Sequence, residues 1–445
     1  MAHAILALRR EAASVKARNN ARNWLWLGIA AALAIPAIYF RLAQIVADVE
    51  LEPAPRAAVF GLAILGAAFV ISWAAEAAQK DVSQTLAIAF LALIAVLPEY
   101  AVDLFFAWTA PDIPENRQFA VANMTGANRL LIGFGWPVVF ALFWFKTKQK
   151  VLSIGRSHSL ELSFLAVATL YSFTIPIKGH LSLIDSLVLI SLFATYIYLA
   201  SRRPVEEPEL VGPAAAIGAL PKAPRRIVLL LLFLYSGAII FGSAEPFAEG
   251  LVEIGEEFGI EEFLLVQWLA PLASETPEFI IASLFVLRGQ AGAAMGILIA
   301  SKVNQWTLLV GSLPLAFSIS GQDISPMDFD SRQVEEIFLT AAQSAFAVAV
   351  FLSFSLSRWK AAALFVLFGT QLFFADTTVR FGYGIGYLVL TAALLSWERR
   401  DVGPFVRSAR QAMQETRLEA AAYDPASGEE ASAGGPRRED DKEGG

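Results

Sequence analysis

"VLPEYAVDLF", Val96 to Phe105, lies inside a long apolar run yet holds a proline and two acids, Pro98, Glu99 and Asp103. "ETPEFIIASLF", Glu275 to Phe285, repeats the combination in the second half of the chain. Carboxylates in a segment apolar enough to enter hydrocarbon are costly, and are kept mainly where they act on ions or protons. A proline at that depth also removes an amide donor, leaving the carbonyl four residues earlier without its helical partner. Here those carbonyls belong to Ile94 and Ala273. Free backbone oxygens are tolerated there only against protein or a polar cavity. Carboxylate plus free carbonyl oxygen suits hard cations such as calcium or sodium. Glu99 and Asp103, four apart, share a helical face; Glu275 and Glu278, three apart, share another.

The two stretches superimpose: Pro98-Glu99-Tyr100 on Pro277-Glu278-Phe279, and Phe106 on Phe285. Each is followed by a short turn and a second apolar span rich in small residues. These are "FAVANMTGANRLLIGFG" (Phe119 to Gly135) and "GAAMGILIASKVNQWTLLVG" (Gly292 to Gly311).

The chain around them is 56% hydrophobic and 17% charged, with a mean hydropathy of +0.55. Its apolar runs are long enough to cross roughly 30 Å of hydrocarbon as helices, and they lack the alternation of a membrane barrel. The fold expected is an all-α polytopic membrane protein of about 12 transmembrane helices. Approximate limits are 24–44, 57–78, 83–108, 119–145, 160–177, 181–200, 226–249, 261–287, 291–317, 334–356, 360–376 and 380–397.

Connections rich in Lys and Arg alternate with acidic ones, as expected when basic loops stay cytoplasmic. Both termini then lie in the cytoplasm, most naturally of an inner (plasma) membrane. Residues 1–23 read as a cytoplasmic tail, 24–200 as a first membrane half with its repeat near 90–135, and 201–226 as a Pro-rich cytoplasmic linker. Residues 227–397 read as a second half with its repeat near 268–312, and 398–445 as a polar, largely disordered tail. The acidic stretch Ala248 to Glu262 reads as a solvated loop, or else as a cation funnel at the outer mouth. Gly382 and Gly386 fit close helix packing.

The two proline–glutamate spans are the third and the eighth, so they cross in opposite directions. That marks inverted-topology repeats, whose sites lie at the midplane between repeats. Glu99 and Glu278 each fall about nine residues into a span, roughly 14 Å deep.

No cysteine is present, which excludes disulfides and thiolate metal sites. The histidines, His3, His158 and His180, fall in tails or connections, so a histidine metal centre is not expected. No acid pattern of an intramembrane protease and no HExxH occurs, so a non-enzyme is expected. No cofactor or nucleic-acid partner is implied; the partners expected are transported cations and the lipid bilayer. Nothing in the sequence sets an oligomeric state.

These motifs resemble the calcium/cation antiporter superfamily, the sodium/calcium exchanger family in the broad sense. Its repeats carry a pattern like G-T-S-L-P-E followed by G-N-x-x-G-S-N, and the likeness covers roughly 90–135 and 268–312. It implies a core of ten helices in two inverted sets of five, with the first and last spans as additions. The family's acids match Glu99 and Glu278, and its first asparagine matches Asn123. Gly126-Ala127-Asn128 stands where G-S-N is expected, Ser274 falls on a threonine, and Ser301 on the serine of the second G-S-N. The implied cation site is Glu99, Glu278, Asn123 and Ser274, with Glu275, Asp103, Asn128 and Ser301 around it and the carbonyls of Ile94 and Ala273 in its shell.

The chain departs from the pattern at Ala95 and Val96 (for two hydroxyl residues), Ile297 (for a ligand), Lys302 (for an asparagine) and Glu275 (for a serine). Lys302 has two readings. It either lies at a span end or pairs with Glu275 or Glu278, or it takes the volume of a sodium ion and couples protons by losing its own. Arg129 would sit beside Asp103 as a fixed pair, its charge permanent. The resemblance implies a secondary antiporter of calcium and sodium working by alternating access. Proton coupling through Glu275 or Lys302 is a rival, and a degenerate, non-transporting ion-binding protein is a third reading.

Overall fold

A computed structural model of the chain describes residues 20–47, 49–81, 97–202, 210–259, 261–374 and 376–422. The first part of the span expected at 83–108, including Ile94, Ala95 and Val96, lies outside the described residues. So do positions 1–19, 203–209 and 423–445 of the expected tails and linker.

The described chain is almost wholly helical. A broken helix over Asn20–Gln44 comes first. The first half then holds Pro53–Ala78 (α1), Leu97–Thr109 (α2), Asn116–Leu130 (α3), Trp136–Thr147 (α4), Ser159–Ser172 (α5) and Leu183–Ala200 (α6). The second holds Lys222–Phe258 (α7), Glu262–Leu287 (α8), Ala291–Asn304 (α9), Val310–Gly321 (α10), Ser331–Val350 (α11) and Arg358–Gln371 (α12). Thr377–Trp397 (α13) and Arg399–Ala422 (α14) follow. Among the described residues, 9 helical segments are long and apolar enough to cross a bilayer. α11 carries Arg332, Glu335 and Glu336, and α12 is short, so neither is among those segments; the expected twelve is therefore not reached on that measure.

Two symmetric features support the inverted repeat. α3 runs into α4 through a π-helical turn, Leu131–Gly135, and α9 runs into α10 through another, Gln305–Leu309. A shift of 174 residues carries one turn onto the other, and Asn128 onto Lys302. In addition, two short antiparallel ladders tie the halves together. Val151–Ser153 (β1), between α4 and α5, pairs with Ser355–Ser357 (β4), between α11 and α12. His180–Leu181 (β2), between α5 and α6, pairs with Met327–Asp328 (β3), between α10 and α11. Exchanging the two halves turns each ladder into the other. One joins basic connections and the other joins those of the opposite face. Leu152, Leu356, Leu181 and Met327 are buried in them.

Three expectations need correction. α7 continues as helix to Phe258, so most of the acidic stretch Ala248 to Glu262 is not a loop. Its glutamates follow one face four residues apart, and two of them find partners: Glu245 pairs with Arg41 (2.6 Å) and Glu253 with Arg56. The chain after Glu398 is helical to Ala422 and not disordered there. Val402, Phe405, Ala409 and Ala412 make an apolar stripe at helical spacing, and Phe405 stacks on Phe354 with ring centroids 5.6 Å apart. A Cβ added at Gly382 or Gly386 would meet nothing within 4 Å, so neither marks a close helix contact; Gly384, between them, packs on Phe338. The linker region is also partly ordered, with a short helix at Gly212–Gly218 ahead of α7.

Candidate cation site

The described part of α2 opens on Leu97 and Pro98. Its first two described turns bury Glu99 and Asp103. α8 passes unbroken through Pro271 and Pro277, so the carbonyls of Gln267 and Ala273 lack their α-helical donors. It presents Ser274, Glu275 and Glu278 to the protein interior; Glu275 is buried and Glu278 half-buried.

These acids meet. Glu99 lies within electrostatic reach of Asp103, Glu278 and Lys302, and Glu275 within reach of Glu99, Glu278 and Lys302. Asn123 on α3 stands beside Asp103, and Ser301 on α9 beside Glu278. Gln305, the first residue of the second π-turn, donates from Nε2 to Glu275 Oε1 at 2.6 Å. Tyr100 donates its hydroxyl to Asn304 Oδ1 (3.1 Å). The Ser274 hydroxyl donates back to the carbonyls of Ala270 (3.2 Å) and Pro271 (3.3 Å).

Oxygens are left over. Glu99 Oε1, both oxygens of Asp103, Asn123 Oδ1, Glu275 Oε2, Glu278 Oε2, Ser301 Oγ and Gln305 Oε1 are buried and have no hydrogen-bond partner. Buried polar atoms are almost always satisfied, so a cluster of orphaned oxygens is an opening for something that binds oxygen. Among the described residues no three acidic or histidine side chains converge as a metal-ligand set. A cation here would take its shell from carboxylate, amide, hydroxyl and carbonyl oxygens together, which suits a hard ion of flexible coordination.

Lys302 is fully buried. It lies about 17 Å into the continuous helical span Ala291–Gly321, at about 1.5 Å per residue, so it is not at a span end. Its ammonium donates to the Asn128 carbonyl at 3.0 Å and also to Asn128 Oδ1, and it lies 5.2 Å from the Trp306 ring centroid. Among the described residues it forms no ion pair with Glu275 or Glu278, which corrects the simple pairing. Asn128 spends both its oxygens on Lys302 and its amide nitrogen on the Met124 carbonyl (2.8 Å). In this arrangement the lysine ammonium, not a transported ion, occupies the oxygens of Asn128. Positions equivalent in the two repeats therefore touch across the internal twofold axis.

Arg129 is not beside Asp103. Its Nη2 lies 2.5 Å from Glu336 Oε2, and both side chains are fully buried. Glu335, Glu336, Arg380, Gln267 and Gln343 surround it as a buried polar network that pattern reading missed. The signal was present as "QVEE", Gln333 to Glu336, at the start of the span expected at 334–356 and as Arg380, the first residue of the span expected at 380–397. Asn304 and Gln305, polar within an apolar span, could have been found the same way.

Taking a carboxylate out of water without a counter-ion costs several kcal/mol. Four carboxylates with one ammonium within reach of two of them call for further positive charge, and their oxygens can take it as a cation or as protons.

The family model for "Sodium/calcium exchanger protein" matches residues 57–202 and 228–375, more than half of the chain and one block per repeat. The crystal structure of an H+/Ca2+ exchanger, CAX, is 43% identical, covers 89% of this chain and 99% of its own, and superimposes with a TM-score of 0.84. The structure of native YfkE, at 16% identity, covers 82% of this chain and 100% of its own with a TM-score of 0.57, a likeness of fold alone. No curated protein matches the chain.

Proposed function

The chain belongs to the sodium/calcium exchanger family and is a multi-pass cation antiporter, and from that premise we propose that it exchanges calcium for protons. The observation that carries this reading is the set of four carboxylates with a single ammonium in reach, which forms no ion pair with them among the described residues. Glu99 and Glu278 are the principal ligands, from spans running in opposite directions. Asp103, Glu275, Asn123, Ser274, Ser301 and the Ala273 carbonyl supply the rest of the shell. Calcium neutralises the acids in one loaded state and protons do so in the other, so each expels the other from one pocket.

Lys302 favours protons over sodium as the counter-ion. Its ammonium already occupies oxygens that a second cation would need, and Ile297 removes a further ligand position. The 43% identity to an H+/Ca2+ exchanger supports the same choice. Alternating access would come from α1 and α7, the most extensively packed helix pair, rocking against the bundle that the two ladders hold together. The distribution of Lys and Arg supports cytoplasmic termini in an inner membrane.

The test uses purified protein in liposomes. A pH gradient without sodium should drive calcium uptake, and a sodium gradient at equal pH should not. Uptake driven by sodium alone would replace the proton with sodium in this reading. No calcium flux under either gradient would favour a degenerate ion-binding protein.

A further inference from the structure

Arg129, next to Asn128 in the chain, anchors a buried network that the exchange chemistry leaves unused. Glu336 takes Arg129 on Oε2, at 2.5 Å, and Arg380 on Oε1. Arg380 Nε lies 3.6 Å from Glu335 Oε1. Gln267 Nε2 donates to Glu336 Oε2 (3.0 Å) and to Thr125 Oγ1 (3.3 Å), and the Arg129 guanidinium lies 5.1 Å from the Trp268 ring centroid. The network joins α3, α8, α11 and α13. Its two arginines offset its two glutamates, and a guanidinium keeps its charge. It is a fixed element and not an ion carrier.

What it holds in place is specific. Just beyond Arg129, α3 changes to π-helix at Leu131. Such a change disturbs the ladder of backbone hydrogen bonds and is often found at functional sites. The two carbonyls at its lip are capped from other helices: that of Asn128 by Lys302 (3.0 Å), and that of Arg129 by Gln343 Nε2 (3.3 Å). Glu336 and Gln343 lie two turns apart on one face of α11, so α11 grips α3 by side chain and main chain at once. On the other side, Gly126 admits the Gln267 carbonyl so closely that an added Cβ would lie 1.8 Å from it.

We infer that Arg129, with Glu336 and Gln343, is a positioning residue for the transport site: it holds Asn128 where Lys302 meets it, and so keeps the ammonium bonded to Asn128 and out of direct contact with the neighbouring carboxylates. Loosening this anchor lets the ammonium turn toward Glu99 and Glu275 and compete with the transported cation. The inference rests on the proposed cation site.

The test compares Arg129→Lys, which keeps the charge but loses the planar fork, and Gln343→Met, each with and without Lys302→Gln. Calcium dependence of flux is measured in liposomes. In parallel, Trp306 emission, taken as the difference from a Trp306→Phe protein, reports the ammonium beside that ring without any flux. The half-saturating calcium concentration should rise on the order of tenfold, given how steeply misplacement acts on a site, with maximal flux little changed. Trp306 emission should shift in the same variants. Both effects should vanish in the Lys302→Gln background. Equal effects with and without Lys302, or unchanged emission in folded variants, would overturn the inference. If the unmodified protein moves no calcium, the proposed function fails, and the emission measurement still decides this point.

Discussion

Glu99 lies within electrostatic reach of Asp103, Glu275 and Glu278, and Lys302 lies within reach of Glu99 and Glu275. Removing one charge while keeping the shape is the sharpest question at this scale. Glu99→Gln and Glu278→Gln should each fold, because an amide is cheaper to bury than an unpaired carboxylate. Each should reduce calcium flux to that of protein-free liposomes; flux near the unmodified level in either would remove that residue from the site. Gly126 makes a second prediction. Gly126→Ala forces α3 away from α8 and should destabilise by about 1–3 kcal/mol or more, as overpacking does. Gly242→Ala, with nothing within 4 Å of its added Cβ, should be neutral or slightly stabilising. Thermal unfolding in detergent separates the two.

Among the elements, α1 and α7 are fastened at one end by Asp81. Its carboxylate accepts from Arg225 Nε at 2.5 Å and from Arg226 Nε at 3.3 Å. The Arg225 hydrogen bond holds the Asp81 carboxyl below its ordinary value of 3.8. A depressed carboxyl contributes stability that is complete above that ordinary value and is lost as pH falls through the folded one. The difference in unfolding temperature between the unmodified protein and Asp81→Asn should therefore be constant from neutral pH down to about 5, and shrink in acid below 3.8. A gap that grew in acid would contradict this. The ladders make a paired prediction. Leu356→Ala and Leu181→Ala, at positions that exchange of the halves makes equivalent, each open a buried site and should each cost about 2–5 kcal/mol. If the internal twofold governs stability, the two losses are similar. The sequence foretold these spans because apolar length is a local property. It did not foretell the ladders, the π-turns or the continuation of α7 to Phe258. Pairing Leu152 with Leu356, or Glu253 with Arg56, depends on chain segments some two hundred residues away. α14 was legible in principle, since Val402, Phe405, Ala409 and Ala412 keep helical spacing, but its high charge masked the stripe.

For the whole molecule, the proline–glutamate pair announced two repeats of opposite direction, and the π-turns and ladders carry the same symmetry. Legibility failed where the symmetry is broken. Lys302 stands where the first repeat has Asn128, and only the folded chain places one against the other. Arg129 found Glu336 and not Asp103 because α11, distant in sequence, lies against α3. In the proposed exchange, acids from both repeats share one mid-membrane pocket in which calcium and protons displace each other. Anomalous diffraction from calcium-soaked crystals grown near neutral pH should then show one calcium peak about 2.3–2.6 Å from oxygens of both Glu99 and Glu278. A calcium peak elsewhere in the bundle, with these two carboxylates turned away from each other, would contradict it.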